Sequence, residues 1–161
     1  MSTLTPQTRQ PRARGPLVLL GLLVASFAVA AIGGLATAGN VDGWYATADK
    51  PPFNPPNWLF APVWTALYAA MAVAAWLVWR RGGDLRLWWV QLALNLAWTP
   101  VFFAAELLWP ALVVIVLLDL AVAATLVMFW RTDRVAGALF VPYLAWVLFA
   151  TALNASIAAL N

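Results

Sequence analysis

A chain of 161 residues that is 65% hydrophobic and 9% charged cannot cover itself with polar surface in water, where a soluble domain carries about 25% charged residues. It reads as one integral membrane domain. With no histidine and no cysteine, it excludes histidine-ligated haem, the usual zinc sites, disulfides and Cys or Ser-His nucleophiles, and its net charge of +3 is accounted for by membrane topology without nucleic acid.

Residues 1–16 form an Arg-containing segment with no assignable role, and residues 17–161 form the transmembrane domain. Five apolar stretches follow, each near the roughly 20 residues that cross a bilayer. They are Leu17 to Ala38, Ala61 to Trp79, Leu85 to Ala105, Pro110 to Trp130 and Val135 to Leu160. The start of the first also fits a signal peptide cleaved after Ala36-Thr37-Ala38. Its apolar run exceeds the roughly 7–15 residues of such a region, which favours a retained helix. Very short links join spans three to five, so these helices are antiparallel neighbours. The fold class is therefore all-α, a five-helix membrane bundle.

With five spans, Arg9, Arg12, Arg14, Arg80, Arg81, Arg86, Arg131 and Arg134 share one end, and Lys50 lies alone among the cations at the other. The positive-inside rule then places the N-terminus in the cytoplasm and the C-terminus outside.

The long link after span one carries Trp44-Tyr45 and the run Lys50-Pro51-Pro52-Phe53-Asn54-Pro55-Pro56-Asn57-Trp58. Proline fixes φ and excludes helix, so this segment is stiff and extended. It suits a lid over the bundle, or equally a linker whose aromatics sit among lipid headgroups.

Within the spans, helical periodicity groups side chains. Trp88, Gln91, Asn95, Trp98 and Phe102 share one face of span three; Tyr143, Trp146, Ala150 and Asn154 share one of span five; Trp64, Tyr68, Met71 and Ala75 share one of span two. Uncharged polar groups at membrane depth must face the interior. The stripes either converge on a pocket for a flat apolar ligand or pack together, with Asn95 and Asn154 as interhelical hydrogen-bond glue. Trp76, Trp79, Trp89, Trp109 and Trp130 lie near span ends, where boundary anchoring is the ordinary use; Trp88 does too, although it also falls on the polar stripe. Pro100 and Pro142 interrupt spans three and five and tend to bend them. Asp119 is the one acid deep in a span; it is either protonated or bonded to Ser, Thr or backbone groups of a neighbouring helix, for example Ser26 or Thr125, and serves either as structural glue or in a proton or ligand role. Ala93, Ala97 and Ala104 form a small-residue back face on span three, a candidate dimer contact, with Gly21 and Ala25 of span one competing.

Trp44-Tyr45, Lys50-Pro51, Asn54-Pro55-Pro56, Trp58, Phe60, Trp64 and Leu67-Tyr68, followed by Gln91, Asn95, Trp98, Phe102-Phe103, Gly137, Pro142-Tyr143, Trp146 and Leu153-Asn154, resemble the signature of the TspO/MBR family over roughly residues 17 to 155. The resemblance implies a membrane receptor or carrier for porphyrins, protoporphyrin IX above all, and for benzodiazepine-type or lipid ligands. These would bind within the bundle under the first loop, in a protein that is commonly a homodimer. It implies a pocket lined by Tyr45, Asn54, Trp64, Asn95, Trp98, Tyr143 and Trp146, to which the helical stripes add Tyr68, Gln91, Phe102 and Ala150. Lys50 is placed to meet a propionate. The resemblance also implies a second reading, light-dependent porphyrin degradation with Trp64 and Trp146 as the reactive pair, and a third, passive transfer of a tetrapyrrole or sterol. The sterol-associated Leu/Val, Tyr, Lys/Arg pattern after span five is not matched by Ala155 to Asn161. No metal site and no resident cofactor are expected, with the porphyrin taken as ligand.

Overall fold

The computed structural model describes residues 14–161; Arg9 and Arg12 lie outside them. The order is α1 (Gly15–Ala38), a short α2 (Trp44–Thr47), a 3-10 turn (Asn57–Leu59), α3 (Phe60–Arg80), α4 (Arg86–Thr99) continuing as a π-turn (Pro100–Ala104), α5 (Leu108–Thr132) and α6 (Arg134–Leu160). Helices α1, α3, α5 and α6, and α4 together with its π-turn, are long and apolar enough to span a membrane. The sequence limits of the spans fall within a few residues of these helices.

The spans form a closed ring. α1 packs on α3 and α4, α4 on α5, α5 on α6, and α6 on α3. Residues facing outward are apolar, among them Leu17, Leu20, Val24, Val113 and Leu120, as expected where lipid replaces water. Polar Ser26, Gln91, Asn95, Thr125 and Asn154 are buried inside. Membrane helices associate through such groups and through small residues, because hydrophobicity alone gives no gain over lipid.

The two ends of the bundle are distinct. At one end, Trp76 Nε1 donates to the Gly15 carbonyl (2.9 Å) and Arg81 pairs with Asp133 (2.8 Å). Asp133 also caps α6 by accepting from Val135 and Ala136 N–H groups, satisfying helix donors that have no partner within the helix. Gly137 meets α5 so closely that a Cβ there would lie 2.6–2.8 Å from Trp130. At the other end, Asp49 and Asn161 bond reciprocally at 3.0 and 3.1 Å, tying the first loop to the end of α6.

Pro100 cannot donate to the helix ladder, and here the chain widens into the π-turn, with Ala105 N–H bonding the Pro100 carbonyl. α6, by contrast, continues through Pro142. The run from Lys50 to Pro56 is free of helix, as its prolines require.

Candidate ligand-binding site

Four of the five spans part around a cavity of about 350 Å³ at the loop end of the ring. That lies within the range of small-molecule sites, roughly 300–1,000 Å³. α1 contributes Ala30, Gly33, Gly34 and Thr37; α3 contributes Phe60, Ala61, Trp64, Thr65 and Tyr68. α4 and its π-turn add Trp98, Thr99, Phe102 and Phe103, and α6 adds Trp146, Ala150, Leu153 and Asn154. Val41 and Tyr45 of the loop close it. Among the described residues no charged side chain lines it.

The aromatic walls are held in place by contacts behind them. The Trp98 indole stacks on Phe102 (centroids 5.5 Å apart) and donates Nε1 to Asn154 Oδ1 at 3.1 Å. Asn154 in turn donates to the Leu108 carbonyl at 3.0 Å, so one amide joins α4, α5 and α6. Trp64 lies against Tyr68 (5.5 Å) and edge-on to Tyr143 (6.4 Å). Trp146 meets Phe60 edge-on at 6.0 Å, and its Nε1 is buried without a hydrogen-bond partner.

Beside the cavity runs a fully buried polar chain. Tyr68 donates to Asn95 Oδ1 (2.6 Å), Asn95 Nδ2 donates to the Tyr143 hydroxyl (3.0 Å), and Tyr143 donates to Gln91 Oε1 (2.7 Å). Gln91 Nε2 ends on the Met71 sulfur, and Trp88 donates to the Met71 carbonyl. The chain couples α3, α4 and α6, and satisfies each group that burial would otherwise penalise.

The lid has its own fastenings. Trp44 Nε1 donates to the Phe103 carbonyl at 2.9 Å, fixing α2 to the π-turn. Tyr45, 2% exposed, donates its hydroxyl to Asn54 Oδ1 at 2.8 Å. Burial pushes the Tyr45 phenol up to about 12, so it remains a neutral donor at physiological pH. The Lys50 ammonium donates to the carbonyls of Tyr45, Ala46 and Ala48 and lies 5.0 Å over the Tyr45 ring.

Of the residues singled out from the sequence, Tyr45, Trp64, Tyr68, Trp98, Phe102, Trp146 and Ala150 come together on the cavity. Asn54 does not line it and instead anchors Tyr45. Gln91, Asn95 and Tyr143 stand behind the wall in the polar chain, their hydrogen-bonding capacity turned on one another. Lys50 is engaged by the lid's own carbonyls rather than free for an anion. Asp119 accepts from Thr151 of α6 at 2.8 Å, not from Ser26 or Thr125: Thr125 bonds the Ala121 carbonyl, and Ser26 Oγ has no partner. Trp88 is wholly buried, while Trp89, Trp109 and Trp130 are exposed near helix ends. Ala93, Ala97 and Ala104 are exposed on the outer face of α4 and its π-turn. Among the described residues no cluster of His, Cys, Asp or Glu is able to hold a metal.

Sequence reasoning missed the α1 wall. Its signal was the set of small residues Ala30, Gly33, Gly34 and Ala38 in the second half of the span, where missing side chains leave room beside the backbone.

Comparison with known proteins gives a consistent result. The model of the TspO/MBR family matches residues 22–160. The tryptophan-rich protein TspO of Archaeoglobus fulgidus is 40% identical over 150 residues, covering 90% of this chain and 97% of that one. The tryptophan-rich sensory protein of Cereibacter sphaeroides is 44% identical, covering 83% and 88%. The human translocator protein is 44% identical over 119 residues, covering 69% and 70%.

Proposed function

Because the chain belongs to the TspO/MBR family of membrane proteins, we propose that it is a receptor or carrier that holds a flat apolar ligand, a porphyrin such as protoporphyrin IX first, in the cavity under the first loop. The observation that carries this reading is the uncharged aromatic enclosure itself. Trp64, Trp98, Phe102 and Trp146 surround one volume from three helices, each indole set by a neighbouring ring or amide. Stacked ring pairs add about 0.5–1.5 kcal/mol beyond area burial, so buried apolar area supplies most of the affinity and the indoles supply shape. With no charge on the walls, porphyrin carboxylates would have to remain at the rim, near lipid headgroups or water. The same enclosure accommodates benzodiazepine-type or lipid ligands.

The test is titration of tryptophan fluorescence with protoporphyrin IX in detergent, then displacement with a benzodiazepine-type ligand. Saturable quenching, reversed by the competitor, is expected. Linear quenching without saturation contradicts the reading.

A second reading, light-dependent degradation of the bound porphyrin, is favoured by one observation: Trp64 and Trp146, two oxidisable indoles, line the same cavity. Passive transfer of the ligand is compatible with either.

The remaining assignments follow the same reading. The arginine-rich end, with Arg14, Arg80, Arg81, Arg86, Arg131 and Arg134, lies on the cytoplasmic side of a bacterial cell membrane. Two copies associate through the exposed alanine face of α4 and its π-turn.

A further inference from the structure

The cavity's walls are unequal, and the difference bears on where a ligand comes from. The lid over it is fastened to the bundle at two places, Trp44 to the Phe103 carbonyl and Asp49 to Asn161, and is braced within itself by Tyr45 on Asn54. No such fastening bridges α1 and α3 beside the cavity. These helices are joined by a side-chain hydrogen bond only at the far end, where Trp76 meets Gly15. Along the cavity, α1 contributes Ala30, Gly34 and Ala38, the 3-10 turn contributes Asn57, and the start of α3 contributes Ala61 and Thr65. Ala30, Gly34 and Ala38 step by four residues along one face of α1, and Ala61 and Thr65 do so along one face of α3. Five of the six, Gly34, Ala38, Asn57, Ala61 and Thr65, are exposed while also lining the cavity, and Ala30 is half-buried. A residue that both lines a cavity and faces outward marks an opening, and this one faces the lipid.

We infer that the ligand reaches the cavity sideways from the bilayer, through the slit between the C-terminal half of α1 and the N-terminal half of α3. The ligand class is accordingly a molecule that partitions into membranes and is taken from the lipid phase, with the lid staying shut. Four of the six slit residues are Gly or Ala, so the walls are low where a flat molecule would pass edge-on. This route rests on the ligand reading above.

The experiment uses the full chain in phosphatidylcholine vesicles, with protoporphyrin IX as probe and stopped-flow tryptophan quenching as readout. Ala38→Leu and Thr65→Leu narrow the slit at its outer edge. Both should slow association and dissociation together, by about tenfold, the signature of a gate, whereas a lost contact speeds dissociation alone. Val113→Leu on the lipid face of α5 should leave both rates unchanged. Unmodified rates in both slit variants would overturn the route. Weaker binding caused by faster dissociation would do so as well, and acceleration of both rates by Trp44→Phe would assign passage to the lid. Absence of saturable binding in the unmodified protein would remove the ligand reading, and this route with it.

A second measurement does not depend on the leucine variants. The native chain has no cysteine, so Thr65→Cys gives a single thiol at the slit. A membrane-soluble maleimide should label it, and bound protoporphyrin IX should protect it. Labelling unaffected by the porphyrin would count against the route.

Discussion

The Tyr68 hydroxyl donates to the Asn95 amide oxygen at 2.6 Å across α3 and α4, while the same Asn95 donates to Tyr143 of α6. One asparagine therefore fixes the relative positions of three helices that wall the cavity. Asn95→Leu leaves buried hydroxyls short of partners, and leaving one such group unsatisfied costs about 1–3 kcal/mol. Tyr68→Phe should cost less, and the double variant should be non-additive by about 0.6 kcal/mol, the average for interhelical bonds in membranes, and by no more than about 1.7 kcal/mol. Unfolding curves in mixed detergent micelles check this. Strict additivity would show that the two residues act apart.

The lid fastening predicts a pH response. The Tyr45 phenol, raised from about 10 to about 12 by burial, favours the closed, protonated lid. Its stabilising contribution is complete below pH 10 and is lost as pH rises toward 12, because deprotonation is easier in the open state. Phenolate absorbance titration of the native chain should show a step near pH 12 that is absent from Tyr45→Phe. A Tyr45 that ionises at the ordinary value would mean the lid is open.

The α5–α6 turn depends on absent bulk at one position. Gly137→Ala drives a methyl group into the Trp130 backbone and ring, and overpacking of this kind costs about 1–3 kcal/mol. Asp133→Ala removes both the α6 cap and the Arg81 pair, with the cap alone worth about 0.5–2 kcal/mol. Both should lower Tm in detergent without altering the cavity residues. Unchanged Tm in either would contradict the packing described.

Trp64→Phe with Trp146→Phe separates holding a porphyrin from consuming it. Binding in the dark should persist within about tenfold, because aromatic area is largely kept. Any light-dependent product should vanish. Continued product formation in the double variant would rule out these indoles as the reactive pair.

The exposed alanine face of α4 gives a prediction about assembly. Ala97→Phe introduces a ring where helices would need close approach. Light scattering in detergent should shift from dimer toward monomer, whereas an equally large change at Val113 of α5 should not. An unchanged dimer would exclude this face.

Much of this was legible beforehand because membrane spans are governed by length and hydropathy, and both are plain in the sequence. The stiff loop was readable too, since proline restricts the backbone locally. Helical periodicity put Gln91, Asn95 and Tyr143 on inward faces correctly. It could not say whether they would meet the cavity or one another, because that depends on the rotation and depth of three helices together. The same holds for Asp119: periodicity names no partner, and Thr151 lies 32 residues away on the next helix. The α1 wall was missed because a cavity is made there by what glycine lacks, and a stripe of apolar residues looks alike whether it faces lipid or ligand. The short α2 was hidden within a loop whose prolines drew attention to its extended part.

The central claim is that the ligand occupies the hollow between α1, α3, α4 and α6. Ala150 lines that hollow from α6 and is 6% exposed, so Ala150→Phe fills it from within. Protoporphyrin IX titrations of this variant, checked for monodispersity, should show affinity reduced at least about tenfold, while Ala93→Phe on the outer face of α4 binds as the native chain does. Native affinity in Ala150→Phe would place the ligand elsewhere and contradict the account.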